Sequence, residues 1–291
     1  MGLVLIRQRI MKTILVPVDF SKASENAMVF AAGLATKFDA KVILFNSFHS
    51  YHVNAYGSVE TMDHDVELAA RKSKCLLKNA WSKLPGTALV VTELVSSEHS
   101  MHDEMPVLIK KKKVDLVVMG TLGLGNKLEG LIFGTNTSWM IEKASCPVLA
   151  IPENAEHITI KHIVYASDYL PCDTDNLKTV SALAGHFNAT VNLVHVSSNS
   201  DKHAEADGRD FMKEVNALPG LESAGITIVK GDNVEKALEK YLRSGEVDLL
   251  VMSAHQRSLM DKLFGKSVTR VMALYLTVPL MVFHHKRVKV A

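Results

Sequence analysis

KTILVPVDFSKASENAMVFAAGLATKFDAKVILFNSF, residues 12–48, is matched without a gap by KHIVYASDYLPCDTDNLKTVSALAGHFNATVNLVHVS, residues 161–197. A constant offset of 149 residues, from Lys12 to Lys161, brings Asp19 onto Asp168, Leu34 onto Leu183, Phe38 onto Phe187 and Val42 onto Val191. Farther along, VDLVVMG at Val114 is matched by VDLLVMS at Val247, so the later copy is shorter in its middle. Both copies close on a proline-led apolar run, CPVLAI from Cys146 and VPLMVF from Val278. A period this long is a whole domain, because solenoid units repeat every 20 to 50 residues or so. The reading is two homologous domains, 1–153 and 154–291, divided in the polar stretch Pro152–His157.

Within one copy, TILVPV is a continuous apolar run, as expected for a strand buried on both faces. Ala23, Ala27, Phe30, Ala31, Leu34 and Phe38 then recur at helical spacing, with Ser21 as N-cap. KVILFNS follows as a second strand, Met62–Leu84 as a helix, Ala88–Val95 as a strand and His102–Lys112 as a helix with Pro106 in its first turn. Lys110 to Lys113 close that helix, where positive charge suits the dipole and a solvated end is the plain explanation. Strands alternating with helices predict a doubly wound parallel sheet of five strands per domain, with ligands at the strands' carboxyl ends.

The composition is that of an ordinary globular chain, 291 residues with 47% hydrophobic and 22% charged content. A formal charge of +2 offers no overall basic field for a nucleic acid. The three cysteines are too far apart for a disulfide framework or a CxxC metal site, which suits a reducing cytoplasmic setting. MGLVLIRQRIMKTIL lacks a cleavage site and is broken by Arg7 and Arg9, so neither export nor a membrane span is expected.

Chemistry concentrates in MGTLGLGNKLEGLIFGTNTS, residues 119–138, after the apolar run VDLVVM. Glycines let backbone approach a phosphate, and the free N–H groups of the next helix form an anion site. Asp19, ending the first strand, can accept hydrogen bonds from a ribose or an adenine amine, or can serve the helix start as a cap or first-turn acid. The loop is not a Walker loop, since GK[ST] is missing, nor is it a GxGxxG followed by a ribose-binding acid. No nucleophile elbow, HExxH or kinase signature is present, so dedicated catalysis is not expected. His49 to His64, with His99 and His102, lacks a second ligand pair at metal spacing and reads as a loop over the crevice.

The combination of ILVPVDFS, DLVVMGTLG, FGTNTSWMIEKASCPVLAIP and the repeat resembles the universal stress protein family over nearly the whole chain. That resemblance implies a five-stranded α/β fold and, for ATP-binding members, G-x2-G-x9-G-[ST] with an aspartate after the first strand. Matched position by position, Pro17, Val18 and Asp19 fall on the adenosine side and Ser47 at the adenine-contacting end of the second strand. Met119, Gly120 and Gly123 match the loop under ribose and phosphates, and Gly134, Thr135, Asn136 and Thr137 match the phosphate-binding helix start. Ten residues, Leu124 to Phe133, separate Gly123 from Gly134 where the family pattern has nine.

In the second copy the loop reads MSAHQRSLMDKLFGKSVTR, with Ser253 and Gln256 at the first two glycine positions and Lys266-Ser267 at the third. The expectation is ATP or AMP, with Mg²⁺, in the first domain as a regulatory ligand and none in the second. The alternatives are an interaction scaffold without nucleotide and a weak ATP hydrolase. The resemblance further implies pairing of CPVLAI with VPLMVF inside one chain as a pseudo-dimer, with a homodimer as a further possibility, while the charge balance and the broken N-terminal run give the expectation of no nucleic-acid or membrane partner.

Overall fold

The computed structural model describes residues 11–48, 59–121, 135–155, 159–253 and 278–284. Strand β1, Thr13–Pro17, is almost entirely buried, as its unbroken apolar run requires. Helix α1, Lys22–Phe38, starts where the Ser21 side chain accepts from the Ser24 N–H and stops at Asp39, whose φ of 53° is left-handed. Next come β2 at Lys41–Ser47, α2 at Val59–Ser82, β3 at Thr92–Ser97, α3 at Met101–Lys112, β4 at Leu116–Thr121, α4 at Thr135–Lys143 and β5 at Val148–Pro152.

The second half repeats the order. It contains β6 at His162–Ala166, α5 at Pro171–Phe187, β7 at Thr190–Ser197, α6 at Ala204–Asn216, β8 at Gly225–Lys230, α7 at Val234–Ser244, β9 at Leu249–Ser253 and β10 at Leu280–Phe283.

The ten strands among the described residues form one sheet in the order β3-β2-β1-β4-β5-β10-β9-β6-β7-β8. Pairing is parallel within each half, and the halves join antiparallel, with Leu280 opposite Ala150, Met281 opposite Leu149 and Val282 opposite Val148. The two proline-led runs thus lie side by side, and each removes the other's open edge. One face of the sheet is covered by α1, α2, α5 and α6 around Leu34, Trp81, Leu177 and Phe211. The other is covered by α3, α4 and α7 around Met105, Met140 and Leu238. In each half the strand order reverses beside its first strand, which opens a crevice between the carboxyl ends of β1 and β4 and between those of β6 and β9.

Two local expectations shift. Ser100 caps α3 one residue earlier than expected, so Pro106 lies inside the helix, past its first turn. The third strand starts later because a 3₁₀ turn, Thr87–Leu89, intervenes. Gly86 enters it at φ 76°, and the Thr87 hydroxyl donates to the Trp81 and Leu84 carbonyls at 3.1 and 2.9 Å. The lysine run also does more than end α3, since Lys112 pairs with Glu93 at 2.6 Å.

Candidate functional site

Pro17 is the last residue of β1 and lies opposite Phe45. Val18 is buried, its N–H donating to the Phe45 carbonyl at 2.7 Å and its carbonyl accepting from Asn46 Nδ2 at 2.7 Å. The chain then turns out of the sheet through Phe20, whose φ of 64° is unusual for a bulky side chain. That turn leaves Asp19 at the crevice with Oδ1 accepting from the Ser21 N–H at 3.0 Å and the Ser21 hydroxyl at 2.6 Å. Partial burial works to raise the Asp19 pKa, but the hydrogen bonds from Ser21 and Ser24 outweigh it and hold the carboxyl below its ordinary value. Asp19 is therefore an ionised acceptor at neutral pH.

Across the crevice, Met119 is part of the buried core between β4, α3 and α4. Gly120 is still in strand β4, and the reason it lacks a side chain is visible. A Cβ there would lie 2.3 Å from the Ala23 carbonyl carbon and 2.7 Å from the Ser24 nitrogen, so the first turn of α1 rests directly on it. Thr137 is buried and donates its hydroxyl to the Gly120 carbonyl at 3.1 Å, fastening the first turn of α4 to the end of β4. Thr135 and Asn136 open α4 beside it. Gly123 and Gly134 lie outside the described residues, as do the histidine segment at 49–58 and the stretch 254–277 that carries most of the second loop. Ser47 ends β2 with its hydroxyl donated to the His99 carbonyl at 2.8 Å.

Sequence reasoning missed the polar support beneath this turn. Asn46 accepts from Ser73 Oγ at 2.7 Å while donating to Val18, and Ser73 reaches Ser96 at 2.9 Å, linking β2, α2 and β3. An asparagine in the otherwise apolar VILFNS was the available signal. Asn26 does the same on the other side, donating to the Glu153 carbonyl at 2.6 Å and tying α1 to the end of β5.

The second crevice has the same outline and different chemistry. Leu170 replaces Ser21, so Asp168 loses the hydroxyl donor that Asp19 has, and burial together with the nearby Asp173 carboxylate pushes its pKa up despite the opposing influence of His195, 4.0 Å away. His195 takes the place of Asn46 and bonds the Ser167 carbonyl through Nδ1 at 2.8 Å. Tyr169, at φ 59°, packs inward on His195 with ring centroids 4.2 Å apart, whereas Phe20 is 43% exposed. Ser253 is fully buried in the position of Gly120. Accordingly α1 lies more closely along β4 than α5 does along β9, where the Ser253 side chain instead hydrogen-bonds Cys172 of α5.

A model of the universal stress protein family matches residues 11–152 and 159–284. A universal stress protein of Methanocaldococcus jannaschii is 29% identical over 148 residues, which is 50% of this chain and 84% of that protein. Among solved structures, a universal stress protein from Archaeoglobus fulgidus superposes with a TM-score of 0.65 at 13% identity, over 94% of this chain and 96% of that one. A putative universal stress protein from Pseudomonas aeruginosa gives 0.61 at 15% identity, over 95% and 94%. The likeness to both structures extends across the two halves and concerns the fold. With both segments matched and the two five-stranded halves on the page, the chain belongs to the universal stress protein family.

Proposed function

We propose that the crevice of the first half binds an adenine nucleotide, ATP or AMP with Mg²⁺, as a regulatory ligand of a cytoplasmic stress-response protein. In this reading the domains are 1–153 and 154–291, and the second serves as an internal partner without nucleotide. The observation that carries it is Asp19, kept ionised by Ser21 at the carboxyl end of β1, facing the end of β4 where the glycine-rich segment begins. A fixed carboxylate on one wall suits ribose hydroxyls or an amine, and the start of α4 on the other suits phosphate. The second half lacks both the Ser21 hydroxyl and the glycine at position 253.

Isothermal titration of the intact chain with ATP and Mg²⁺ tests this. One site per chain is expected, weakened in Asp19→Asn. Absence of heat beyond dilution overturns the reading in favour of a scaffold, and phosphate release abolished by Asp19→Ala would replace it with a hydrolase. Gly120→Val is unsuitable, because its effect on α1 would mimic a lost phosphate contact.

A further inference from the structure

In a doubly wound fold the helix carboxyl termini and strand amino termini gather at one end, opposite the crevice. In the first half that end is unusually basic. Lys12 precedes β1, Lys78 lies in α2 a turn before its end with Lys83 just past it, and Lys110 and Lys111 lie in the last turn of α3 with Lys113 as its C-cap. All six are exposed, and none has a carboxylate partner among the described residues.

The acids at the same end are already engaged. Glu93 is held by Lys41 and Lys112, Asp115 accepts from the Lys12 and Thr13 N–H groups at 2.8 and 3.0 Å, and Glu142 pairs with Lys143 at 2.6 Å. Asp39 closes α1. Between Leu68 and Thr92 there are five basic residues and no acid. Helix dipoles account for cations in the last turns. They do not account for the apolar side chains among them: Leu89 is 91% exposed and Val91 69%, both just ahead of β3.

The corresponding end of the second half is mixed, with Arg243 paired to Glu239 and His162 beside Glu246. The chain's near-neutral total thus averages over a polarised molecule.

We propose that this end of the first half is a docking surface for an anionic lipid bilayer. Unpaired lysines complement a negatively charged headgroup layer, and Leu89 with Val91 can enter the acyl boundary. All six cations are lysines, with no arginine fork or aromatic ring among them, which fits diffuse attraction to a charged plane better than readout of a nucleic acid. No helix among the described residues is long and apolar enough to cross a membrane, so attachment would be peripheral. Docking here leaves the crevice facing away from the bilayer and free to exchange ligand.

Vesicle flotation of the intact chain tests the surface, using phosphatidylcholine with and without phosphatidylserine, at low and high salt. Binding is expected only with phosphatidylserine, with release by salt. Lys78→Glu/Lys83→Glu/Lys110→Glu/Lys111→Glu should weaken it about tenfold or more, and Leu89→Ser should weaken it further with thermal unfolding unchanged. Lys202→Glu/Lys213→Glu in the second half should leave it intact. Equal flotation with neutral vesicles, or flotation indifferent to the first-half reversals, overturns the proposal. So does capture of soluble polyglutamate without vesicle binding, which would point to an acidic polypeptide instead.

Discussion

His186 stacks on Phe38 across the two halves, with ring centroids 4.2 Å apart and planes inclined by 10°. The 149-residue offset maps His186 onto Lys37 and Phe38 onto Phe187, and Lys37 Nζ stands 4.8 Å from the Phe187 ring centre. Each half therefore presents the same position to the other half's phenylalanine, as an isologous dimer contact does, although the residues now differ. Lys37 also donates to the His186 carbonyl at 2.9 Å. Phe38→Ala is expected to cost about 3–5 kcal/mol, since it empties a buried ring site, and Lys37→Ala about 0.5–1 kcal/mol. Urea unfolding checks both. Equal, small losses would mean that the ring stack contributes no more than a surface contact.

Gly120 predicts a packing defect before any binding defect. Gly120→Ala sets a methyl 2.3 Å from the α1 backbone, so either α1 moves or β4 bends. A loss of about 1–3 kcal/mol is expected, typical of overpacking, and circular dichroism melts of the ligand-free chain measure it. A variant as stable as the parent would show that α1 is free to lift away from β4.

The sheet was legible from residues 12–48 because an apolar run of strand length followed by a 3.6-residue pattern leaves few folds open, and the 149-residue match doubled that evidence. The join of the halves followed from the family resemblance, which implied that the two proline-led runs pair, and an apolar edge left open would invite association. What escaped was set by contacts distant in sequence. Gly120 looked like a loop glycine, yet it is a strand residue beneath α1. Thr137 matches the phosphate-binding helix start, but its hydroxyl bonds the Gly120 carbonyl. The Asn46–Ser73 bond joins residues 27 apart, which no periodicity announces.

His284, just past β10, faces the Cys146 carbonyl through Nδ1 at 3.0 Å and the Ile141 carbonyl through Nε2, so it ties the second half to the end of α4 and the turn that follows it. Burial holds its pKa below the ordinary 6.5, and the two carbonyls only partly oppose that. The folded chain therefore prefers the neutral ring and the unfolded chain binds the proton more readily. Stability from this residue is complete above pH 6.5 and declines as pH falls toward the folded pKa. Urea midpoints for the parent should fall between neutral and mildly acidic pH by more than those of His284→Gln. Parallel pH profiles for the two proteins would rule out titration of His284 as the cause.

Asp19 and Asp168 occupy equivalent positions with opposite shifts, and their surroundings differ in Leu170 for Ser21, Asp173 for Ser24 and His195 for Asn46; the first of these removes a hydroxyl donor. Ser21→Leu should carry the first crevice toward the second. It removes the 2.6 Å hydroxyl bond to Asp19 and the cap to the Ser24 N–H at 3.2 Å. Losing the cap should cost about 1 kcal/mol of stability. Losing the donor leaves burial, the larger raising influence, less opposed, so the Asp19 pKa should rise from below its ordinary value. The stability that its depressed pKa confers, present above the unfolded value of 3.8 and lost as pH falls through the folded value, should shrink accordingly. Carboxylate ¹³C titration by NMR follows the site directly. An Asp19 titration unmoved by Ser21→Leu would mean that the backbone N–H groups alone keep it ionised, and that the missing hydroxyl does not explain Asp168.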